Sequence, residues 1–292
     1  MKKIIIVICF VFAVIPATKL RAWDRGIHSG IVALAEANLT QTAKKNLRSY
    51  FNNESLVLWA QWTDDLEQCK GHEQLRNYHN VALTTKGAIM PIKKAAKSKN
   101  KFLKTALAME GLEKSLKELS SYKTLDAEKV RELVCMVMTI LADIHCPSHY
   151  IFDKMTEDDL RPEYYRDNNT KPENFLRLWE AGAFQANFSV WRAREYVHQL
   201  SRLTQEQINE TVSGSLKSWI EKNARNYANL SSYVKNHPIM LKKQYRLKSS
   251  DYRLWLNTVN PVAVDAVQKA GYRIARVLNG IFDDTILEVS LN

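Results

Sequence analysis

Aspartates and histidines recur in this chain at spacings that could surround a divalent cation. His28, Asp64, His79, Asp143 and His149 offer the oxygen and nitrogen donors that zinc takes. Trp23 joins them for a different reason. It follows an apolar leader that closes in Leu20-Arg21-Ala22, so cleavage after Ala22 would make it the first residue of a mature chain. A freed α-amino group and the neighbouring carbonyl can then chelate a metal together.

Asp143 and His149 are tied by local sequence. The segment Asp143-Ile144-His145-Cys146-Pro147-Ser148-His149 closes the most apolar helical stretch of the chain. A carboxylate there is costly to bury unpaired, and the end of a helix disfavours negative charge. Both costs are relieved beside a cation. Pro147 stops the helix and lets His149 turn back toward the same point. The competing reading is a helix end with solvated polar side chains. Asp64 follows Trp59 and Trp62, and His79 lies in Asn77-Tyr78-His79-Asn80. Taken singly, these two read as a solvated acid and a satisfied core histidine.

The elements that must position these residues read as helices. Glycine is scarce at 9 and proline at 7, and strand-like alternation is hard to find. Apolar spacing predicts helices over His28–Tyr50, Lys101–Leu119, Asp126–Cys146, Asn174–Leu200, Gln205–Leu230 and Val262–Phe282. The stretches 70–100, 150–172 and 231–258 read as long loops, which in a compact domain usually carry function or stay unstructured. No repeat, low-complexity tract or flexible linker divides the chain. The expected architecture is all-α, with a signal peptide over 1–22 and a single globular helical domain over 23–292.

The leader supports export. Lys2 and Lys3 precede the apolar run Ile4 to Ile15, which is too short and wrongly flanked for a membrane span. The competing reading is an uncleaved anchor. No later stretch reaches the ~18 consecutive apolar residues that an integral span needs. A secreted or periplasmic location follows as an expectation. The formal charge is +11, and the leader carries four of the cations (Lys2, Lys3, Lys19, Arg21) and no acid, which leaves +7 on the mature chain. A basic surface suits a polyanion or an anionic lipid, and equally suits solubility alone. Beyond Cys9 in the leader, Cys69, Cys135 and Cys146 remain, an odd number that permits one disulfide at most.

With these residues in view, the chain resembles the zinc-dependent superfamily that joins single-strand-specific (type I) nucleases to bacterial phospholipase C. Trp23 and His28 match its mature N-terminal Trp and the His five residues later. Trp62-Thr63-Asp64 matches its Trp-x-Asp, and Tyr78-His79 the aromatic-His that follows. Asp143, Pro147 and His149 match its Asp followed by Pro-x-His, and Asn174 to Gly182 partly matches its last motif. The resemblance implies up to three zinc ions in an all-helical protein. Trp23, His28 and a bridging Asp143 would hold one, Asp64, His79 and Asp143 a second, and His149 and Glu180 a third. It further implies hydrolysis of a phosphate ester by a metal-activated water, with Asp64 orienting that water and no covalent intermediate.

Two family histidines are replaced, one by Thr139 and one by Leu176. Fewer than three zinc ions are therefore expected. Cys135 and His145 are candidate substitutes. Cys135 shares a helical face with Asp143 but is more commonly a small core residue, and His145 is turned about 200° away from Asp143 on a helix. Asn80 stands where the nucleases tend to carry a base-stacking aromatic residue. Tyr78, Trp62 and Tyr150 could line a pocket or pack in the core. The resulting expectation is a zinc-dependent phosphodiesterase or endonuclease acting on single-stranded nucleic acid. A metal-depleted, non-catalytic relative that binds or scaffolds is the alternative, together with a phospholipase C-like enzyme acting on phospholipid.

Overall fold

The computed structural model describes residues 23–155, 163–166, 173–174, 179, 192–236, 245–247 and 249–283. The chain is all-α in class. Its main helices are α1 (Arg25–Ala37), α2 (Gln41–Tyr50), α3 (Trp62–Leu66), α4 (Ile92–Ala96), α5 (Lys101–Lys104), α6 (Ala108–Leu119) and α7 (Ala127–Asp143). They continue with α8 (Ala193–Leu200), α9 (Gln205–Val212), α10 (Leu216–Asn236) and α11 (Ser249–Phe282). Short strands add little: β1 (Val81–Leu83), β2 (Tyr150–Phe152), β3 (Glu163–Arg166), β4 (Glu173–Asn174) and β5 (Tyr245–Leu247).

The central helix is α7. Asp126 caps its first turn by accepting from the Lys129 backbone N–H at 2.8 Å. From Leu133 to Asp143 every residue is buried. Helices α6, α11, α3, α1 and α2 pack around it, and α1 packs in turn against α8 and α11. Among the described residues, no helix is long and apolar enough to cross a membrane.

Two predicted helices divide where side chains or neighbouring carbonyls capture the backbone. The stretch His28–Tyr50 breaks at Asn38–Thr40, where Asn279 of α11 clamps the turn. Its Oδ1 accepts from Thr40 N–H at 2.9 Å and its Nδ2 donates to the Asn38 carbonyl at 3.1 Å. Lys101–Leu119 breaks before Ala108, because Leu107 and Ala108 N–H donate to the Asn77 and Asn80 carbonyls at 2.8 and 2.9 Å. Those two bonds bracket His79. Gln205–Leu230 divides at Gly214, whose φ of +86° is left-handed and favours glycine.

The expected loops are partly ordered elements. Within 70–100 lie β1 and α4, while 231–258 holds the end of α10, β5 and the start of α11. Strand β1 pairs in parallel with β2, Val81 opposite Tyr150 and Leu83 opposite Phe152. That pairing aligns the segments that begin with His79 and His149. Of the predicted helix Asn174–Leu200, Asn174 lies instead in β4, opposite Glu163 of β3, and the described part is helical from Ala193.

Candidate metal centre

The centre gathers at the C-terminal end of α7. Asp143 is fully buried there. Its Oδ1 lies 3.3 Å from His28 Nε2, and its Oδ2 lies 2.5 Å from His79 Nδ1. His28 comes from the first turns of α1, a helix started by Asp24, whose Oδ1 accepts from Ile27 N–H at 2.9 Å. His79 arrives between the two carbonyls held by Leu107 and Ala108. Asp64 enters from α3, buried, and interacts electrostatically with His28, His79, Asp143 and Glu67.

Trp23 closes one side. It is 1% exposed, and its indole N–H donates to the Ala142 carbonyl at 3.1 Å. The start of the described chain thus lies against the helix end that bears Asp143, 119 residues away along the sequence. His149 closes another side. Its Nδ1–H donates to the His79 carbonyl at 2.9 Å, which leaves the lone pair on Nε2. The two imidazole rings stand 6.3 Å apart. Glu180 and Leu176 lie outside the described residues.

Burial and charge set the ionisation. Burial opposes charge on Asp143, yet the two histidines outweigh it and hold the carboxyl well below the usual range. Burial likewise opposes charge on His79 and His28, and Asp143 reverses the balance, raising both. Asp64 goes the other way. Burial lifts its pKa, and no hydrogen bond reaches its Oδ1. His28 Nδ1 is also buried without a hydrogen-bond partner.

A further carboxylate belongs to the cluster and was missed in the sequence. Glu67 is 6% exposed, and its Oε2 lies 3.0 Å from His79 Nε2. It follows Asp64 by three residues, a helical neighbour spacing that could have flagged it.

The candidate substitutes for the lost histidines do not reach the centre. His145 Nδ1–H donates to the Leu141 carbonyl at 2.6 Å, and its Nε2 accepts from Arg273 Nη1 at 2.9 Å. Burial and the Arg273 charge hold His145 neutral. Both nitrogens are used, so the helical rotation carries this ring away as expected. Cys135 is 1% exposed in the apolar core, and burial pushes its thiol far up. Cys69 and Cys135 are free cysteines, and Cys146 Sγ lies 3.1 Å from Ser148 Oγ. Thr139 is buried one turn before Asp143. Tyr150 is core as well, its hydroxyl donating to the Ile144 carbonyl. Tyr78 and Trp62 are half-buried against the same core.

Three carboxylates and two imidazoles in one buried cluster make a donor set suited to a divalent cation, and the unpartnered Asp64 Oδ1 and His28 Nδ1 strengthen that fit. Among the described residues no three donors form a preset cage around one point. The reason is visible in the pairing: His79 faces Asp143 with one nitrogen and Glu67 with the other.

Residues 23–283 match the S1/P1 nuclease family, and the chain belongs to that family. Comparison with curated individual proteins gave no match. Family membership supports a nuclease activity and a nucleic-acid substrate.

Proposed function

We propose that the protein is a zinc-dependent nuclease that cleaves single-stranded nucleic acid after export from the cytoplasm. The observation that carries this reading is Asp143, fully buried between His28 and His79 with the unpartnered Asp64 oxygen in the same cluster. Zinc would be held by Asp143 together with His28, Asp64 and His79, by the Trp23 amino and carbonyl groups, and by His149 with Glu180. Bound there, zinc supplies Lewis acidity and brings the pKa of a water toward neutrality. Asp64 orients the attacking water with its unpartnered oxygen. Asp143 keeps its charge because both histidines face it, and His149 is held in one tautomer by the His79 carbonyl. The excess of basic residues favours a polyanionic strand.

Export and cleavage after Ala22 are part of the reading, since only cleavage frees the Trp23 amino group.

A second reading has an observation in its favour. Thr139 occupies the place of a family histidine, and the donors pair with one another, as a metal-depleted binding protein would tolerate. Metal counting separates the two. Protein beginning at Trp23 and grown with ample zinc is expected to retain at least one zinc per chain by native mass spectrometry. It is expected to cleave single-stranded DNA or RNA faster than duplex DNA or phosphatidylcholine, and to stop in chelator. Absence of retained zinc, or cleavage indifferent to chelator, overturns the proposal.

A further inference from the structure

Glu67 lies outside the pattern shared with the family, yet it is built into the centre. Its Oε2 and Asp143 Oδ2 grip opposite edges of one imidazole, at 3.0 Å from Nε2 and 2.5 Å from Nδ1 of His79. Ring lone pairs point outward in the plane of the ring. A cation held by Asp143 and His79 would take the His79 lone pair on the Nδ1 edge that faces Asp143, and Nε2 would then carry the proton. Glu67 stands where that proton has to be accepted.

Glu67 is itself held in place. Gln68 Nε2 donates to its Oε1 at 2.7 Å, and Arg76 Nη2 donates to its backbone carbonyl at 3.1 Å. Both carboxylate oxygens are engaged, one toward His79 and one toward Gln68. A continuous polar chain thus runs from Gln68 through Glu67 and His79 to Asp143 and His28.

We propose that Glu67 is the positioning carboxylate of this centre: it accepts the proton on His79 Nε2, so that when a cation is bound the Nδ1 edge, which meets Asp143 at 2.5 Å in the metal-free protein, is free to present its lone pair to that cation. The inference rests on the divalent-cation reading above. A histidine backed by a carboxylate is a more basic and better oriented ligand. That gain offsets, within this chain, the nitrogen that Thr139 does not supply.

The test uses protein beginning at Trp23, with Glu67→Gln and Glu67→Ala. Zinc affinity is measured by competition with a chromogenic chelator, and zinc count by native mass spectrometry. The count stays that of the wild type in both variants. Affinity falls about 10-fold in Glu67→Gln, which keeps an acceptor oxygen, and about 100-fold in Glu67→Ala. The isosteric Glu67→Gln keeps the test valid should the alanine variant fail to fold. Nitrogen-15 spectra of the zinc-loaded protein show the His79 proton on Nε2 in the wild type and a shifted Nε2–H signal in Glu67→Gln, a readout that a merely structural carboxylate would not move.

A proton on Nδ1 overturns the inference. So does loss of a whole zinc from the count in Glu67→Gln, which would make Glu67 a ligand. A zinc-loaded wild type whose Glu67 variants bind with equal affinity overturns the inference alone. A wild type that retains no zinc overturns the cation reading and the inference with it.

Discussion

Asp64 and Asp143 share one buried cluster, but loss of each charge should move stability in opposite directions. Asp143 has two imidazoles against its oxygens, which hold its pKa down. Removing one partner of a buried ionic set typically costs about 3–5 kcal/mol, because the other charges are stranded. Asp143→Asn is therefore expected to lower the unfolding free energy of metal-free protein by that amount. Asp64 has an oxygen with no hydrogen bond, and burial raises its pKa. Asp64→Asn is expected to stabilise the metal-free protein by on the order of 1 kcal/mol while abolishing hydrolysis, the trade that strained functional groups show. Urea unfolding of both variants after metal removal checks the pair. Equal destabilisation by the two would contradict the difference in their partners. At this scale the sequence was informative wherever residue type limits the chemistry. His28, Asp64, His79 and Asp143 could each be picked out, and the structure brings them together. Glu67 was missed because a glutamate one turn from an aspartate on a short helix looks like ordinary surface charge. Only the fold shows that it is buried against His79.

At the scale of elements, helix type was legible and helix limits were not. Apolar periodicity continues through Asn38–Thr40 and through 105–107, since the residues on either side face the same core. What ends those helices is a side chain or a carbonyl from far away in the sequence, Asn279 in one case and Asn77 with Asn80 in the other. Periodicity holds no information about such partners. The parallel β1–β2 pairing was hidden for the same reason, each strand being only three residues long. The close packing of α1 gives a prediction. A Cβ at Gly30 would stand 2.3 Å from the Tyr196 ring, so α1 and α8 approach only because Gly30 has no side chain. Alanine in an exposed helix would gain about 1 kcal/mol over glycine. Here overpacking is expected to win, and Gly30→Ala to lose about 1–3 kcal/mol net. Since His28 lies two residues away on the same helix, zinc affinity should fall too. Asp126→Ala, which removes the α7 cap, should cost about 1 kcal/mol and leave zinc affinity unchanged. Thermal unfolding and chelator competition on the two variants separate a helix that aims a ligand from a cap that only stabilises one.

Across the whole molecule, the end of α7 is fixed from two sides by chemistries that respond oppositely to acid. One side is the ionic cluster on Asp143. The other is the His145 network, in which Arg273 of α11 donates to His145 and its guanidinium lies 4.8 Å over the Trp219 ring of α10. Tyr227, also of α10, donates to the His145 carbonyl at 3.0 Å. Arg273 is buried, and that burial lowers its pKa to about 10, so it still carries its charge at neutral pH. Burial first, and then the Arg273 charge, hold His145 well below the ordinary histidine value of 6.5. As pH falls through that ordinary value, the unfolded chain takes up a proton that the folded chain refuses. The stability contributed by His145 is thus fully present above about pH 6.5 and lost progressively below it. His145→Phe keeps a ring and removes both nitrogens, leaving Arg273 Nη1 without this acceptor. It should cost about 1–3 kcal/mol near neutral pH. Because the phenylalanine variant has no such proton to refuse, the gap between it and the wild type should narrow as the pH is lowered toward about 5. Urea unfolding of the metal-free pair at the two pH values measures that gap. A gap that stays constant would mean that folded His145 takes up its proton as readily as the unfolded chain does, and a gap that widens would mean that it is protonated first; either would show that its Nε2 is not held as the acceptor for Arg273.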